Sequence, residues 1–320
     1  MAVIVTTSPG FGKHGRVPDL IAEHGWELVR CNDTSLPDGG LSAHIGRADV
    51  LVVGLIGVNA ETLKGADRLK GVIKHGVGTD NIDIPACSAA GLPVMNTPGA
   101  NANAVAELAV GFMFSLARNM ATSHASVIAG KWERQVGTEL SGKVLGIVGL
   151  GNIGRRLALA ARGLGMKVVA SDPYADRDFA AAHEVEILPL DDLLERSDYV
   201  SLHIFGGAEN AGLINAGKLA LMKPTACLLN LARGEVVDLD AVVAALDAGT
   251  LGGVGIDAYT SEPPDISHPV FHHPRAVFMP HSGADTLESV ENVGLMVVED
   301  IETLLAGGRP ARCLNGGELG

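Results

Sequence analysis

Three side chains in the second half of the sequence can together hold a carboxylate and move a proton: Arg233, Glu262 and His281. Each comes after a short apolar run. Residues 226–231 lead into Asn230-Leu231-Ala232-Arg233-Gly234-Glu235. Residues 253–256 lead into Asp257 and then Ser261-Glu262-Pro263-Pro264, and residues 276–279 lead into Pro280-His281-Ser282-Gly283. In an open α/β sheet, ligands sit beyond the carboxyl ends of the strands, so the three are expected on one edge. A histidine titrating near neutrality takes a hydroxyl proton. A neighbouring carboxylate favours the imidazolium and fixes its tautomer. A guanidinium fork holds a substrate carboxylate and polarises the oxygen at C2. The set suits hydride transfer at a small 2-hydroxy acid.

A hydride acceptor is written upstream. The apolar run 144–148 enters Gly149-Leu150-Gly151-Asn152-Ile153-Gly154, a G-x-G-x-x-G leading into an Ala/Leu-rich helical stretch. The first glycine permits the tight turn, the second lets a pyrophosphate approach the backbone, and the third lets helix and strand pack closely. The helix N-terminus offers N–H groups to phosphates. The next apolar run, 167–171, ends in Asp172, 18 residues past Gly154. That carboxylate accepts ribose hydroxyls and repels a 2′-phosphate, so NAD is expected over NADP.

The elements that must place these residues read as alternating strands and helices. Runs 3–5, 50–53, 71–73 and 92–95 lack polar alternation, as strands covered on both faces do. Segments 19–24 and 59–64 read as helices between them. A turn-rich loop, 96–103, precedes a long helix over about 105–120. A second series of strands lies at 144–148, 167–171, 199–204, 226–231, 253–257 and 276–279. A final helix over about 287–305 is expected to return to the first unit. The expected fold is α/β, with two doubly wound parallel sheets facing across a cleft. The expected domains are 1–99 plus 288–320, and 100–287.

The chain has 320 residues and a net charge of −13, with 47% hydrophobic residues. That composition excludes disorder, and its acidity disfavours nucleic acid or an anionic membrane as partner. Apolar runs are shorter than the roughly 18 residues a bilayer needs. Cys31, Cys87, Cys227 and Cys313 are scattered, without a C-x-x-C, and read as free thiols in a reducing compartment. With no signal-like start, a cytoplasmic location is expected. Asn32-Asp33-Thr34 fits a glycosylation sequon that such a location leaves unused. The adjacent His272 and His273 are not expected to bind a metal.

These motifs, with Lys74-His75-Gly76-Val77-Gly78-Thr79-Asp80-Asn81-Ile82-Asp83 and Asn96-Thr97-Pro98-Gly99, extend over nearly the whole chain. Their combination resembles the D-isomer-specific 2-hydroxyacid dehydrogenase family, most closely its D-3-phosphoglycerate dehydrogenase branch. The resemblance implies a flavodoxin-like substrate domain and a Rossmann NAD domain. It implies that Arg233 binds substrate, that Glu262 assists, and that His281 is the acid/base. Asp257 would hold the nicotinamide carboxamide, Asn152 and Ile153 would lie over the pyrophosphate, and Leu231, Ala232 and Gly283 would line the cofactor. Gly76-Val77-Gly78 would present N–H groups to the substrate carboxylate. Lys74 stands where phosphoglycerate enzymes often carry an arginine, and an ammonium holds phosphate only as a point charge. His75 beside it serves packing or substrate contact. His203-Ile204-Phe205-Gly206-Gly207 replaces a His-x-Pro-Leu-Thr-like stretch on the adenine side, with His203 expected to be structural. The family is commonly dimeric, with the region around Lys131-Trp132 in the interface. Candidate substrates are 3-phosphoglycerate, hydroxypyruvate and glyoxylate; the alternative is a non-enzymatic NAD-sensing scaffold of the same fold. Glu262 stands where formate-type relatives use glutamine. The length leaves no room for a C-terminal regulatory domain, so no serine feedback is expected.

Overall fold

The computed structural model describes residues 1–31, 33, 36 and 38–319. Asn32 and Thr34 of the sequon lie outside the described residues. The chain divides into two compact units, one of residues 1–101 with 285–320 and one of residues 102–284.

The first unit begins with β1 (Val3–Thr6), α1 (Val17–Glu23), β2 (Glu27–Arg30), β3 (Val50–Val53), β4 (Val72–Lys74), α2 (Ile84–Ala89) and β5 (Val94–Met95). The five strands form a parallel sheet in the order β2-β1-β3-β4-β5. Every residue of β1 and β3 is buried, which is why all of them but Thr6, at the end of β1, are apolar. Alternate residues serve two cores. Val3, Val5, Leu51, Val53, Val72 and Val94 face one; Ile4, Val50, Val52, Ile73 and Met95 face the other. The apolar runs do not reveal β2, an edge strand with Glu27 and Arg30 at its ends and no fully buried residue. Segment 59–64 is a series of turns rather than a helix. Asn59 and Thr62 hydrogen-bond each other's backbone there, and Gly65, at φ 77°, ends the turn.

The second unit opens with α3 (Ala102–Ala117) and α4 (Met120–Ile128), where a single helix was expected over 105–120. The axis bends by 62° at the break, where Asn119 takes the left-handed conformation at φ 51°. Among the described residues no single helix is long and apolar enough to cross a membrane. Next in the chain are β6 (Val144–Val148), α5 (Asn152–Gly163), β7 (Lys167–Ser171), α6 (Arg177–Ala182), β8 (Val185–Ile187), α7 (Leu190–Arg196) and β9 (Tyr199–Leu202). The unit ends with α8 (Ala216–Leu219), β10 (Cys227–Asn230), α9 (Leu239–Asp247), β11 (Gly253–Ile256) and β12 (Ala276–Phe278). All pairings are parallel, in the order β12-β11-β10-β9-β6-β7-β8. The order reverses between β6 and β9, the point at which doubly wound sheets open a crevice. β8, a three-residue edge strand with Glu186 at its centre, escapes the sequence pattern for the same reason as β2. Strand β9 stops at Leu202, two residues short of the expected end, leaving His203 and Ile204 in the loop. α10 (Leu287–Leu305) returns to the first unit and packs on α1, β3 and β4.

One device recurs in both sheets. The residue before β3, Asp49, accepts from Val3 N–H at 2.8 Å and from Arg68 at 3.0 Å. The residue before β9, Asp198, accepts from Val144 N–H at 2.8 Å and from Lys223 at 2.9 Å. Burial alone would raise both carboxyls, but the backbone N–H and the cation hold each below its ordinary value. Each aspartate thereby fixes the start of its sheet's first strand.

Candidate active site

The Gly-rich loop between β6 and α5 divides its glycines by task. Gly149 lies at φ 94°, and a Cβ there would meet the His203 carbonyl oxygen at 2.6 Å. Gly154 packs its helix on the strand: a Cβ would come closest to the Gly149 carbonyl oxygen. Gly151 is different, because a Cβ on it would meet no atom within 4 Å. Open space therefore lies over the start of α5, where Gly151 and Asn152 are exposed and no side chain caps the helix. Ile153 turns partly into the core. This is the cradle a pyrophosphate needs. Asp172 comes directly after β7, as expected. Its carboxylate accepts from Leu150 N–H at 2.8 Å and Tyr174 N–H at 2.7 Å, which ties it to the Gly-rich loop. Two exposed aromatic rings flank the loop at the ends of the strands beside β6: Tyr174, 92% exposed, past β7, and Phe205, 71% exposed, past β9.

The three candidate catalytic residues lie past the ends of β10, β11 and β12, adjacent strands of one sheet. Past β10, the Asn230 amide donates to the Arg233 carbonyl at 2.9 Å and its oxygen accepts from Ala232 N–H at 3.1 Å. Leu231 and Ala232 are buried, and Arg233 Nη1 donates to the Ala232 carbonyl at 2.8 Å. Gly234 lies so near Tyr259 and Thr260 that a side chain would overlap their backbone, which brings the Arg233 segment against the one carrying Glu262. His281 Nδ1 and Glu262 Oε1 are 2.6 Å apart, with the histidine side chain 37% and the glutamate 26% exposed. A half-exposed imidazole held by a carboxylate through Nδ1 presents Nε2 as the proton-transfer atom. His281 is also strained, at φ 53°.

Asp257, after β11, does more than the resemblance implied. It is buried, and its two oxygens accept from Ser282 N–H at 2.8 Å and Gly283 N–H at 2.9 Å. Burial raises its carboxyl, and those two N–H groups oppose the rise. A Cβ at Gly283 would meet the Asp257 carboxylate at 2.8 Å, so the glycine is needed for this contact.

In the first unit, the loop after β4 keeps Gly76 at φ 143°. Thr97 donates to the Gly76 carbonyl through N–H at 2.9 Å and through Oγ1 at 3.0 Å, and Asn96 donates to the Val77 carbonyl at 2.7 Å. Gly76 N–H is occupied by the Lys74 carbonyl, whereas those of Val77 and Gly78 donate to no group among the described residues. The loop thus offers two N–H groups where three were expected. Lys74 departs from expectation further. It is 7% exposed, and its ammonium donates to the Gly54 carbonyl at 2.6 Å and Asn81 Oδ1 at 2.8 Å. Its charge tethers the loops after β3 and β4 instead of facing outward.

His75 sits beneath the loop after β1, with Nδ1 3.1 Å from Ser8 Oγ, its ring edge on Phe11 and Nε2 unpartnered. Burial, aided by the Lys74 charge, lowers it to about 4. His203 bonds Ser201 Oγ at 2.8 Å, and burial lowers it to about 3. Both are neutral in the folded protein at pH 7. The unfolded chain protonates near the ordinary histidine value of 6.5. Stability is therefore full above that pH and is lost as the pH falls toward 4. Urea midpoints are expected to drop across this window, and a His75→Asn, His203→Asn double variant is expected to show a flatter fall. Parallel curves for the two proteins refute the assignment. Among the described residues no group of three His, Cys, Asp or Glu is placed to hold a metal, and all four cysteines are free.

Residues 110–283 match the NAD-binding domain of the D-isomer-specific 2-hydroxyacid dehydrogenases. The chain belongs to this family. The second unit is accordingly an NAD-binding domain, and the cradle at Gly151 fits a dinucleotide. The chain is 37% identical over 309 residues to D-3-phosphoglycerate dehydrogenase 2, chloroplastic, of Arabidopsis thaliana, covering 93% of this chain and 49% of that protein. It spans about half the length of the curated relatives it matches. The crystal structure of the TT0316 protein from Thermus thermophilus superposes with a TM-score of 0.87 at 32% identity, covering 98% of this chain and all of that one. D-lactate dehydrogenase from Aquifex aeolicus, solved with NAD and lactic acid, gives a TM-score of 0.82 at 26% identity, covering 95% and 96% of the two chains.

Proposed function

We propose that this protein is an NAD-dependent D-2-hydroxyacid dehydrogenase acting on a small 2-hydroxy or 2-keto acid. The observation that carries the reading is the 2.6 Å pair of His281 and Glu262 on the same sheet edge as Arg233 and the Gly-rich loop. The nicotinamide, when bound, would accept the hydride from C2 as NAD or return it as NADH. His281 takes the hydroxyl proton in oxidation and returns it in reduction. Glu262 holds the tautomer and stabilises the imidazolium. Arg233 grips the substrate carboxylate with its fork. Gly151, Asn152 and Ile153 receive the pyrophosphate on a loop that Gly149 and Gly154 shape, Asp172 receives the ribose, and Asp257 and Gly283 the nicotinamide end.

The tethered Lys74 favours a substrate without a phosphate, such as hydroxypyruvate or glyoxylate, over 3-phosphoglycerate. NADH consumption followed at 340 nm over a panel of 2-keto acids tests both levels. Turnover of none of them favours the NAD-sensing scaffold, and preference for the phosphorylated acid removes the argument from Lys74.

The exposed ring of Phe205 supplies what the missing proline would on the adenine side. Base–aromatic stacking contributes about 1–3 kcal/mol. Phe205→Ala is expected to raise the NADH Kd about tenfold, read by fluorescence titration, with kcat at saturating cofactor little changed. An unchanged Kd removes Phe205 from the cofactor site. We also propose a cytoplasmic homodimer. Helix α4 has no buried residue, and Val127, Ile128, Trp132 and Val136 are 56–98% exposed, a surface that wants a partner. A monomeric mass by light scattering overturns this.

A further inference from the structure

His281 occupies a conformation that a side chain rarely adopts, so its surroundings must hold it there. Three groups do so. On the carboxyl side, Asp257 grips Ser282 and Gly283 N–H, and on the ring itself Glu262 meets Nδ1. The third hold comes from Tyr259. Its hydroxyl donates to the Met279 carbonyl, two residues before His281, at 2.7 Å, with the Ile256 carbonyl at 3.3 Å. Its own N–H donates to Glu262 Oε1, the oxygen that faces His281, at 3.3 Å. One residue thus touches the chain ahead of His281, the strand end ahead of Asp257, and the carboxylate of Glu262. The ring stacks on Phe271 at 5.9 Å between centroids, which itself packs on Phe278 of β12. Burial pushes the phenol up to about 12, so the hydroxyl remains a donor throughout the neutral range.

We propose that Tyr259 is a positioning residue for proton transfer: its hydroxyl fixes the Met279 carbonyl and so sets His281 against Glu262. The inference rests on the reading of that pair as the proton-transfer site. A neutral hydrogen bond makes a modest net contribution, and a displaced acid–base group loses rate in proportion, so Tyr259→Phe is expected to lower kcat about tenfold. The KM for the 2-hydroxy acid and the NADH Kd should stay within about twofold, because no recognition group is removed. The discriminating measurement is a double-mutant cycle with Glu262→Gln, in which contacts acting through one residue are non-additive. With the pair already broken, Tyr259→Phe should cost less than about twofold more. A repeated tenfold loss in that background means that the hydroxyl acts independently of His281 and overturns the proposal. So does a kcat within twofold of wild type. Loss of NADH binding together with turnover marks the hydroxyl as a strut of the whole unit, which also overturns it. Glu262→Gln at wild-type turnover instead refutes the underlying reading of the site.

Discussion

Replacing His281 by asparagine is expected to lower kcat in both directions by about 10²–10⁴-fold, the range a positioned general acid–base group contributes. Asparagine is the informative choice because it tolerates the left-handed backbone better than alanine does, so the strained loop at φ 53° keeps its shape while the base is removed. Asp257 still holds Ser282 and Gly283 N–H, and Tyr259 still holds the Met279 carbonyl. The NADH Kd is expected to stay near wild type, since the groups proposed to receive the pyrophosphate and ribose lie at the ends of β6 and β7. Added imidazole should restore part of the rate if the cavity left by the ring admits it. A variant within tenfold of wild type would show that another group carries the proton. The effect should be far larger than that of Tyr259→Phe, which displaces the base without deleting it.

The sheet edge proposed to bear the chemistry was legible because parallel strands buried on both faces are apolar runs, and the residues just past their carboxyl ends form the candidate site. β1, β3, β6, β7 and β10–β12 fall where those runs fall, within a residue or two. β2 and β8 escaped because edge strands carry charge, Glu27, Arg30 and Glu186, and lack the run. The break between α3 and α4 was hidden for a different reason. Asn119 is a type that tolerates the left-handed conformation, but a single asparagine inside an apolar stretch also fits an unbroken helix, so only its backbone shows the bend. The glycine signature at 149–154 was readable to the level of which glycine does what, because each role is steric. The direction of a side chain was not. Lys74 stands beside the proposed substrate loop in sequence, yet its ammonium finds a carbonyl and an amide oxygen across two loops. The strain on His281, and the hydroxyl and carboxylate that counter it, involve residues 20–26 positions apart. No local pattern encodes them. Tyr259 had one local signal, its place two residues after Asp257 at a strand end, but apolar packing explains a tyrosine there equally well.

Arg233 to alanine is expected to cost about 10²–10³-fold in kcat/KM for a 2-keto acid. Truncating one partner of a desolvated, hydrogen-bonded charge pair costs about 2–5 kcal/mol, much of it from the charge left unpaired. The residue's setting limits relief by neighbours. Its backbone is pinned by Asn230, and its stem runs close to Gly206, where a Cβ would meet Arg233 Cγ at 3.0 Å. The nearby Glu235 carboxylate, which accepts from Gly207 N–H at 3.3 Å, adds charge of the wrong sign for the substrate. Arginine to lysine should recover only part of the loss, because an ammonium meets a carboxylate as a point charge and not as a fork. The reduction of a simple aldehyde, which has no carboxylate to grip, separates binding from general damage. Wild type and Arg233→Ala should approach equal rates on it while differing by orders of magnitude on the keto acid. If the variant loses both activities equally with NADH binding intact, Arg233 polarises the reacting oxygen more than it holds the acid. If it retains near-normal turnover of the keto acid, the assignment of Arg233 falls.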